Sequence, residues 1–490
     1  MPAINTGLSS SWLVPGSSFQ FNFLRAGGSL VTIPFTIALV GMKSAAGTAV
    51  AGTVYDATDA ATTDALGGQS SEGAIMCRQA NRCSQLFGQG PGVKVVFIAE
   101  PGSGTANVQT IAFVGTATSD GNIEISVAGR IFEVGVSNGN LQNTIAANAA
   151  NELKKRAAEL PVIVTVATNV VTLTHPTKGV NGKDVVVTVN QQISGCVATV
   201  ATTAVGAGVA DIQPALDALS PHRYDGIAIA NHASADITEI LLDIANRWRP
   251  QSKTWTFYYL FEPGTIGTAT ALAAAANHQS AIISNVQGCL NAPGEGAVTT
   301  AMLTYSRERA NSGYDNAVVP LYPPPEAIIY TPDEVNTAIT AGLTVYTGVL
   351  DASGTLIEDR MQCAQMVTSR TVGAGGFPDS TTRDIAVPRT AIALALQLDA
   401  AEAQLRANNP DGISQSQIRP LLKDLAASIM RAEARADPPV LDPNFVEDDI
   451  QATRIEPDPS VLGRNNALIQ FHPDIPDHQT AWAINVIVGP

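Results

Sequence analysis

GIAIANHASADITEILLDIANRWRPQSKTWTFYYLFEPGTIGTATALAAAANHQSAIISNV, residues 226–286, alternates short apolar runs with segments of helical spacing. Gly226 to Ala230 is short, apolar and bounded, as a buried strand should be. Ala235 to Arg247 then repeats its apolar residues at helical spacing. Thr254 to Phe261 (TWTFYYLF) is a second strand, Thr268 to His278 a second helix, and Ala281 to Val286 a third strand. Strands separated by single helices imply a parallel or mixed α/β sheet.

Ile212 to Leu219 predicts a helix before this block, and Gly296 to Ala310 and Thr331 to Ala341 predict two after it, around the proline-rich Val319 to Pro325. Toward the N-terminus, Val31 to Met42 reads as a buried strand, followed by small and polar residues to about Gly73. Ala74 to Phe87 has helical spacing and stops at a glycine-rich turn, and Val93 to Glu100 is a strand. Between these two α/β segments, residues 102–208 shift toward Thr, Val, Asn and Gly. Short strands are expected there at 111–116, 123–127, 132–136, 162–166, 170–174 and 185–189, with one helix at Leu141 to Leu160. The expectation is therefore an α/β and α+β multidomain chain. An α/β core spans 29–101 and 209–350, and a β-rich domain is inserted at 102–208. Leu343 to Thr347, Thr355 to Glu358 and Gln362 to Ser369 suggest a hairpin region. A helical and β domain at 351–465 holds long helices at Ile385 to Ala407 and Ser414 to Ala434, and a terminal β segment includes Val446 to Arg454 and Leu468 to Phe471.

Both ends read as arms, 1–28 and 466–490. In Phe19-Gln20-Phe21-Asn22-Phe23 apolar and polar residues alternate, and in the last segment Trp482, Ile484, Val486 and Val488 share one face. A lone strand leaves a ladder of donors and acceptors open, and adding to a neighbouring sheet closes it. Phe19, Phe21 and Phe23, with Trp482, Ile484 and Val486, are the candidate strand-joint residues, and the sheet they join lies either in their own chain or in a neighbouring one.

Composition narrows the function. Only 14% of the 490 residues are charged, against 45% hydrophobic, with 41 Gly and 29 Pro. That balance suits a fold whose surface is largely covered by copies of itself better than long solvated helices. The net charge of −15, with no basic run, opposes direct binding to a phosphate backbone. No stretch reaches the roughly 20 apolar residues that span a bilayer, and no basic-then-apolar leader is evident, so a cytoplasmic chain is expected. The five cysteines, Cys77, Cys83, Cys196, Cys289 and Cys363, fit no zinc spacing. They read either as buried reduced thiols or as partners in disulfides between copies of the chain.

No catalytic constellation emerges, and no cofactor is expected. Gly373 to Phe377 lacks the spacing and the βαβ setting of a dinucleotide loop, and Gly88 to Lys94 lacks the Ser or Thr of a phosphate loop. His472, Asp474, Asp477 and His478 are the densest group of candidate metal ligands, but Pro473 and Pro476 make a solvated turn the better reading. Asp225 and His232 flank a strand in the α/β region, where ligands often lie beyond strand ends. They are the residues on which an α/β enzyme would rest.

Several segments, in order, carry a family resemblance. They are Ala74 to Val93 (AIMCRQANRCSQLFGQGPGV), Gly115-Thr116-Ala117-Thr118 with Gly121, Ala128-Gly129-Arg130 and Leu160-Pro161-Val162. Tyr224-Asp225-Gly226-Ile227-Ala228, Arg247-Trp248, Val319-Pro320-Leu321, Tyr330-Thr331, Gly342-Leu343, Thr371 to Asp379 and Pro473-Asp474-Ile475 follow. This series resembles the tail sheath proteins of Mu-like contractile phages. The resemblance implies a non-enzymatic virion subunit, assembled in the host cytoplasm. It would form stacked hexameric rings around a tail tube, with baseplate and tail terminator proteins as further partners. It also implies that terminal strands of neighbouring subunits join a sheet, that the inserted domain sits outermost, and that contraction drives the tube through the host envelope. A tube, capsid or surface-lattice subunit is the alternative from the same composition.

Overall fold

The computed structural model describes residues 35–472 and 474, except 58, 89, 221, 250–251, 308, 310–311, 325–329, 351–352, 354–355, 374–375, 380, 410–413, 437–438, 440 and 458–464. The described residues form a mixed α/β protein and fall into two compact units, one within 33–307 and 316–383, the other within 308–315 and 384–474.

The larger unit begins with β1 (Thr36–Met42), β2 (Val54–Asp56), α1 (Ala60–Gly67), α2 (Glu72–Phe87) and β3 (Gly92–Ile98). β1 and β3 pair in parallel from Thr36 opposite Gly92 to Met42 opposite Ile98. β2 and α1 occupy a stretch expected to be irregular. Its helix signal is local: the Asp59 side chain accepts the Thr62 N–H at 2.8 Å and caps a weakly amphipathic turn. α2 is capped by Ser71 and ends at Gly88 in the left-handed conformation that glycine tolerates.

Residues 106–204 build two further sheets from β4 (Ala106–Gly115), β5 (Gly121–Val127), β6 (Arg130–Val136), α3 (Gln142–Lys155), β7 (Ile163–Ala167), β8 (Val170–Lys178), β9 (Val187–Gln191) and β10 (Cys196–Ala204). The four-stranded sheet runs β10-β4-β8-β7 and the three-stranded sheet β6-β5-β9, all antiparallel. α3 turns Ile145, Ala146, Ala149, Ala150 and Leu153 inward, the stripe a 3.6-residue period dictates. They join Ile111, Phe113, Ile125, Val134 and Leu173 in a core belonging to this region. β10 was not among the expected strands. Its sequence, CVATVATTA, has too few large apolar residues to announce itself, and long-range pairing with β4 makes it a strand.

The chain then returns to the first sheet through α4 (Gln213–Leu219), β11 (Gly226–Ile229), α5 (Ser234–Arg247), β12 (Phe257–Glu262), α6 (Ile266–Ala276), β13 (Ala281–Asn285), α7 (Pro293–Tyr305), β14 (Val318–Val319), α8 (Pro332–Thr340), β15 (Leu343–Leu350) and β16 (Leu356–Gln365). The nine-stranded order is β14-β16-β15-β13-β12-β11-β1-β3-β2. Six central strands, β3 to β15, are parallel, and both edges are antiparallel. Buried on both faces, the parallel strands are largely apolar, as in β12 (FYYLFE), all six residues of which are buried. α7 is buried along its whole length despite its threonines. The hydroxyls of Thr299, Thr300 and Thr304 return to the carbonyls four residues earlier, at 2.8–3.0 Å, so no buried O–H is stranded. Gly296 lets this helix approach the sheet: a Cβ there would lie 2.2 Å from the Phe261 ring.

In the smaller unit, α9 (Ala386–Ala407), α10 (Gln415–Ala434), α11 (Val446–Ala452) and the β17 (Arg454–Pro457) and β18 (Asn465–Leu468) ladder surround Leu394, Leu398, Met430, Leu441 and Ile450. The β segment expected at 446–454 is corrected to a helix followed by a strand. Glu447, Asp448 and Asp449 in the first turn favour the helix N-terminus, and Val446 and Ile450 are buried one turn apart.

Candidate functional site

The carboxyl ends of the parallel strands are where an α/β sheet ordinarily offers a ligand site, and here they carry buried polar side chains. β1 ends at Met42, whose N–H donates to Glu72 Oε2 at 3.0 Å. Glu72 opens α2, is buried, and accepts the Asn181 amide on its other oxygen at 2.7 Å. Asn181 lies between β8 and β9 and also reaches Asn231 Oδ1, beyond the end of β11, at 3.0 Å. Burial raises the Glu72 carboxyl above its ordinary range, against the opposing effect of these hydrogen bonds. Next to Asn231, His232 Nε2 stands 3.6 Å from Asp184 Oδ2 and 3.9 Å from Glu262 Oε2. Glu262 ends β12, and its other oxygen accepts the Gly264 N–H at 2.7 Å.

A second junction is stronger. Ala128 and Gly129 both have positive φ, +49° and +77°, making the tight two-residue turn between β5 and β6. A Cβ on Gly129 would meet Tyr322 at 2.4 Å, so the turn seats only without a side chain. The turn delivers Arg130 to Glu295, near the start of α7, at 2.5 Å. Glu295 also accepts the Ala292 N–H at 3.0 Å and the Asn291 amide at 3.3 Å, so one carboxylate caps α7 and holds the hairpin. Arg82 and Arg130 lie over the Tyr322 ring, 4.6 and 5.5 Å from its centroid. Burial pulls the Arg130 pKa down, but the charge and hydrogen bond of Glu295, with smaller contributions from Tyr322 and Glu159, together outweigh it and leave the guanidinium cationic.

The polar groups beyond the strand ends are thus engaged with residues 128–130 and 181–184 of the β4–β10 region. Asp225 and His232 do not form a pair. They lie at opposite ends of β11, where Asp225 accepts the Thr36 N–H at 2.8 Å and pairs with Arg223. Arg130, Glu295, Glu72 and Asn181 were not singled out as a set from the sequence. The Ala128-Gly129-Arg130 turn was visible, but its partner is 165 residues away.

The six strand-joint residues, Phe19, Phe21, Phe23, Trp482, Ile484 and Val486, lie outside the described residues, as do Asp477 and His478. His472 is held by Asp449, which bonds its Nδ1 and its backbone N–H at 2.7 Å each, and it stacks on Phe445. Among the described residues no three His, Cys, Asp or Glu side chains group so as to hold a metal ion. No helix among them is long and apolar enough to cross a membrane. Cys77, Cys83, Cys196, Cys289 and Cys363 are all buried thiols, each 2% exposed or less. Burial pushes the Cys77, Cys83 and Cys289 thiols up to about 12 and raises Cys196 as well. A disulfide from any of the five to a neighbouring chain requires local opening first.

A curated relative and a solved structure, both tail sheath proteins, are similar to this chain. The Mu-like prophage FluMu tail sheath protein of Haemophilus influenzae is 24% identical over 276 residues, 55% of this chain and 55% of that protein. The chain therefore matches about half the length of this curated relative. The crystal structure of the sheath tail protein from Desulfitobacterium hafniense aligns with a TM-score of 0.45 and 11% identity, covering 92% of this chain and 99% of that one. No family model matches the chain.

Proposed function

We propose that this chain is a structural subunit of a contractile phage tail sheath. The observation that carries the reading is its similarity to the FluMu tail sheath protein over 276 residues, and the ordered motifs from Ala74 to Ile475 agree with it. The subunit polymerises as stacked hexameric rings around a tail tube, within the virion, after assembly in the host cytoplasm. Baseplate and terminator proteins bound the sheath, and contraction drives the tube through the host envelope. Phe19, Phe21 and Phe23 form the N-terminal strand joint, and Trp482, Ile484 and Val486 the C-terminal one. The α/β sheet serves as a rigid body on which residues 102–208 are mounted as an outer domain. The polar groups at its strand ends, occupied in attaching that region, support a structural role over a catalytic one.

Purified chain should form hollow, cross-striated tubes in negative-stain electron microscopy, alone or after addition of tube protein. A chain lacking residues 1–24 should stay folded but form no long tubes. Absence of polymer under both conditions would overturn the sheath reading, and normal tubes from the truncated chain would overturn the strand joints.

A further inference from the structure

The four-stranded sheet is chemically unlike its neighbour. Apart from Lys178 at the end of β8, strands β4, β7, β8 and β10 carry no charged side chain. Val114 and Val197 face each other across β4 and β10 and are 60% and 54% exposed, and Ile163 on β7 is 49% exposed. In the three-stranded sheet, by contrast, Glu124 stands opposite Glu133.

Both edges of the uncharged sheet, β10 and β7, lack a partner strand among the described residues. The Ala198 N–H turns away from β4 to Gln191 Oε1, at 2.8 Å. Hydrogen-bonding direction alternates along an antiparallel strand, so the backbone groups of Val200 and Thr202 also point outward. A bulge between Thr202 and Ala204 closes this free stretch. Within it, as along β7, no proline, lysine or other charge blocks addition of a strand, although such residues usually guard an edge.

The strands alternate in direction, so β10 and β7 run opposite ways. A second copy laid alongside in the same orientation brings its β7 antiparallel to the first copy's β10, and the sheet continues. A net charge of −15 makes copies repel, and an uncharged seam is where they meet at least electrostatic cost. We propose that β10 of one chain adds to β7 of a second copy, head to tail. Such a contact is heterologous and propagates into rings or filaments instead of closing a dimer. It follows from the sheet, whether or not the chain builds a sheath.

The register supplies the test. Ala201, Thr110, Thr172 and Thr165 form one cross-strand row, with Ala201 and Thr165 exposed at its two ends. The full chain is made with Ala201→Cys, Thr165→Cys, or both, and oxidised with diamide. Folding is checked by circular dichroism, and products are run on non-reducing gels. The double variant should give a dithiothreitol-sensitive ladder and an equimolar mixture of the singles a dimer only. Each single variant and the parent, whose thiols are buried, should stay monomeric. The proposal is overturned if neither this pair nor the staggered Thr199→Cys/Thr165→Cys pair gives a ladder, or if Ala201→Cys alone dimerises. Microscopy separates the two readings: tubes without a ladder remove only this contact, and a ladder without tubes removes only the sheath.

Discussion

Replacing Arg130 with methionine tests the junction between the β5–β6 turn and α7. Methionine keeps the aliphatic stem and removes the charge. The Arg130 and Glu295 side chains are only 8% and 1% exposed, so water cannot take the place of the lost guanidinium. Removing one member of a buried ion pair costs about 3–5 kcal/mol, because the remaining charge is stranded. The Ala292 N–H and the Asn291 amide still donate to Glu295, which places the expected loss near the lower end, about 3 kcal/mol. That is on the order of a hundredfold in the unfolding equilibrium. The double variant Arg130→Met/Glu295→Gln should recover most of it, since a neutral amide can still accept the Ala292 N–H and leaves no buried charge. Urea unfolding followed by tryptophan fluorescence gives the stabilities, and limited proteolysis shows whether residues 106–204 become the first site of cleavage. A loss below about 1 kcal/mol for the single variant, or a double variant no better than the single, would refute the assignment of this pair as the main attachment.

Two further outcomes follow from burial. Burial lifts the Asp236 carboxyl from its ordinary 3.8 to about 6, despite hydrogen bonds from Ala233 and Asn231. The folded chain therefore holds this proton more tightly than the unfolded one, and stability from this group is full below about pH 4 and lost as pH rises to about 6, on the order of 2–3 kcal/mol. Asp236→Asn keeps an oxygen for the Ala233 N–H and should flatten that part of the pH profile without abolishing it, since Glu72 is shifted the same way; an unchanged slope would count against it. For the cysteines, alkylation by iodoacetamide at neutral pH should be slow until urea unfolds the chain, because buried thiols at about 12 supply almost no thiolate. Rapid labelling of Cys77, Cys83 or Cys289 in the native chain would show that these sites open.

The alternation from Gly226 to Val286 was legible in the sequence because it is local. Observed strands and helices there begin and end within about three residues of their expected limits, since side-chain period and turn residues act over a few positions. Residues 446–452 were misread for the same reason in reverse: VEDDIQA is too short for its period to decide, and its acidic first turn tipped the balance. β10 was missed because Thr and Ala carry little burial signal, and only its pairing with β4, 81 to 96 residues earlier in the chain, makes it a strand. The ordered motifs carried the resemblance to tail sheath proteins, and the sequence comparison points the same way. Alternation at the chain ends named the six joint residues, which lie outside the described residues. Tertiary structure alone decided the nine-strand order, the Arg130–Glu295 and Glu72–Asn181 junctions, and the two open edges of the uncharged sheet. Each depends on groups brought together from distant parts of the chain, and no local pattern in a single sequence records which distant partner a buried charge or a free edge will meet.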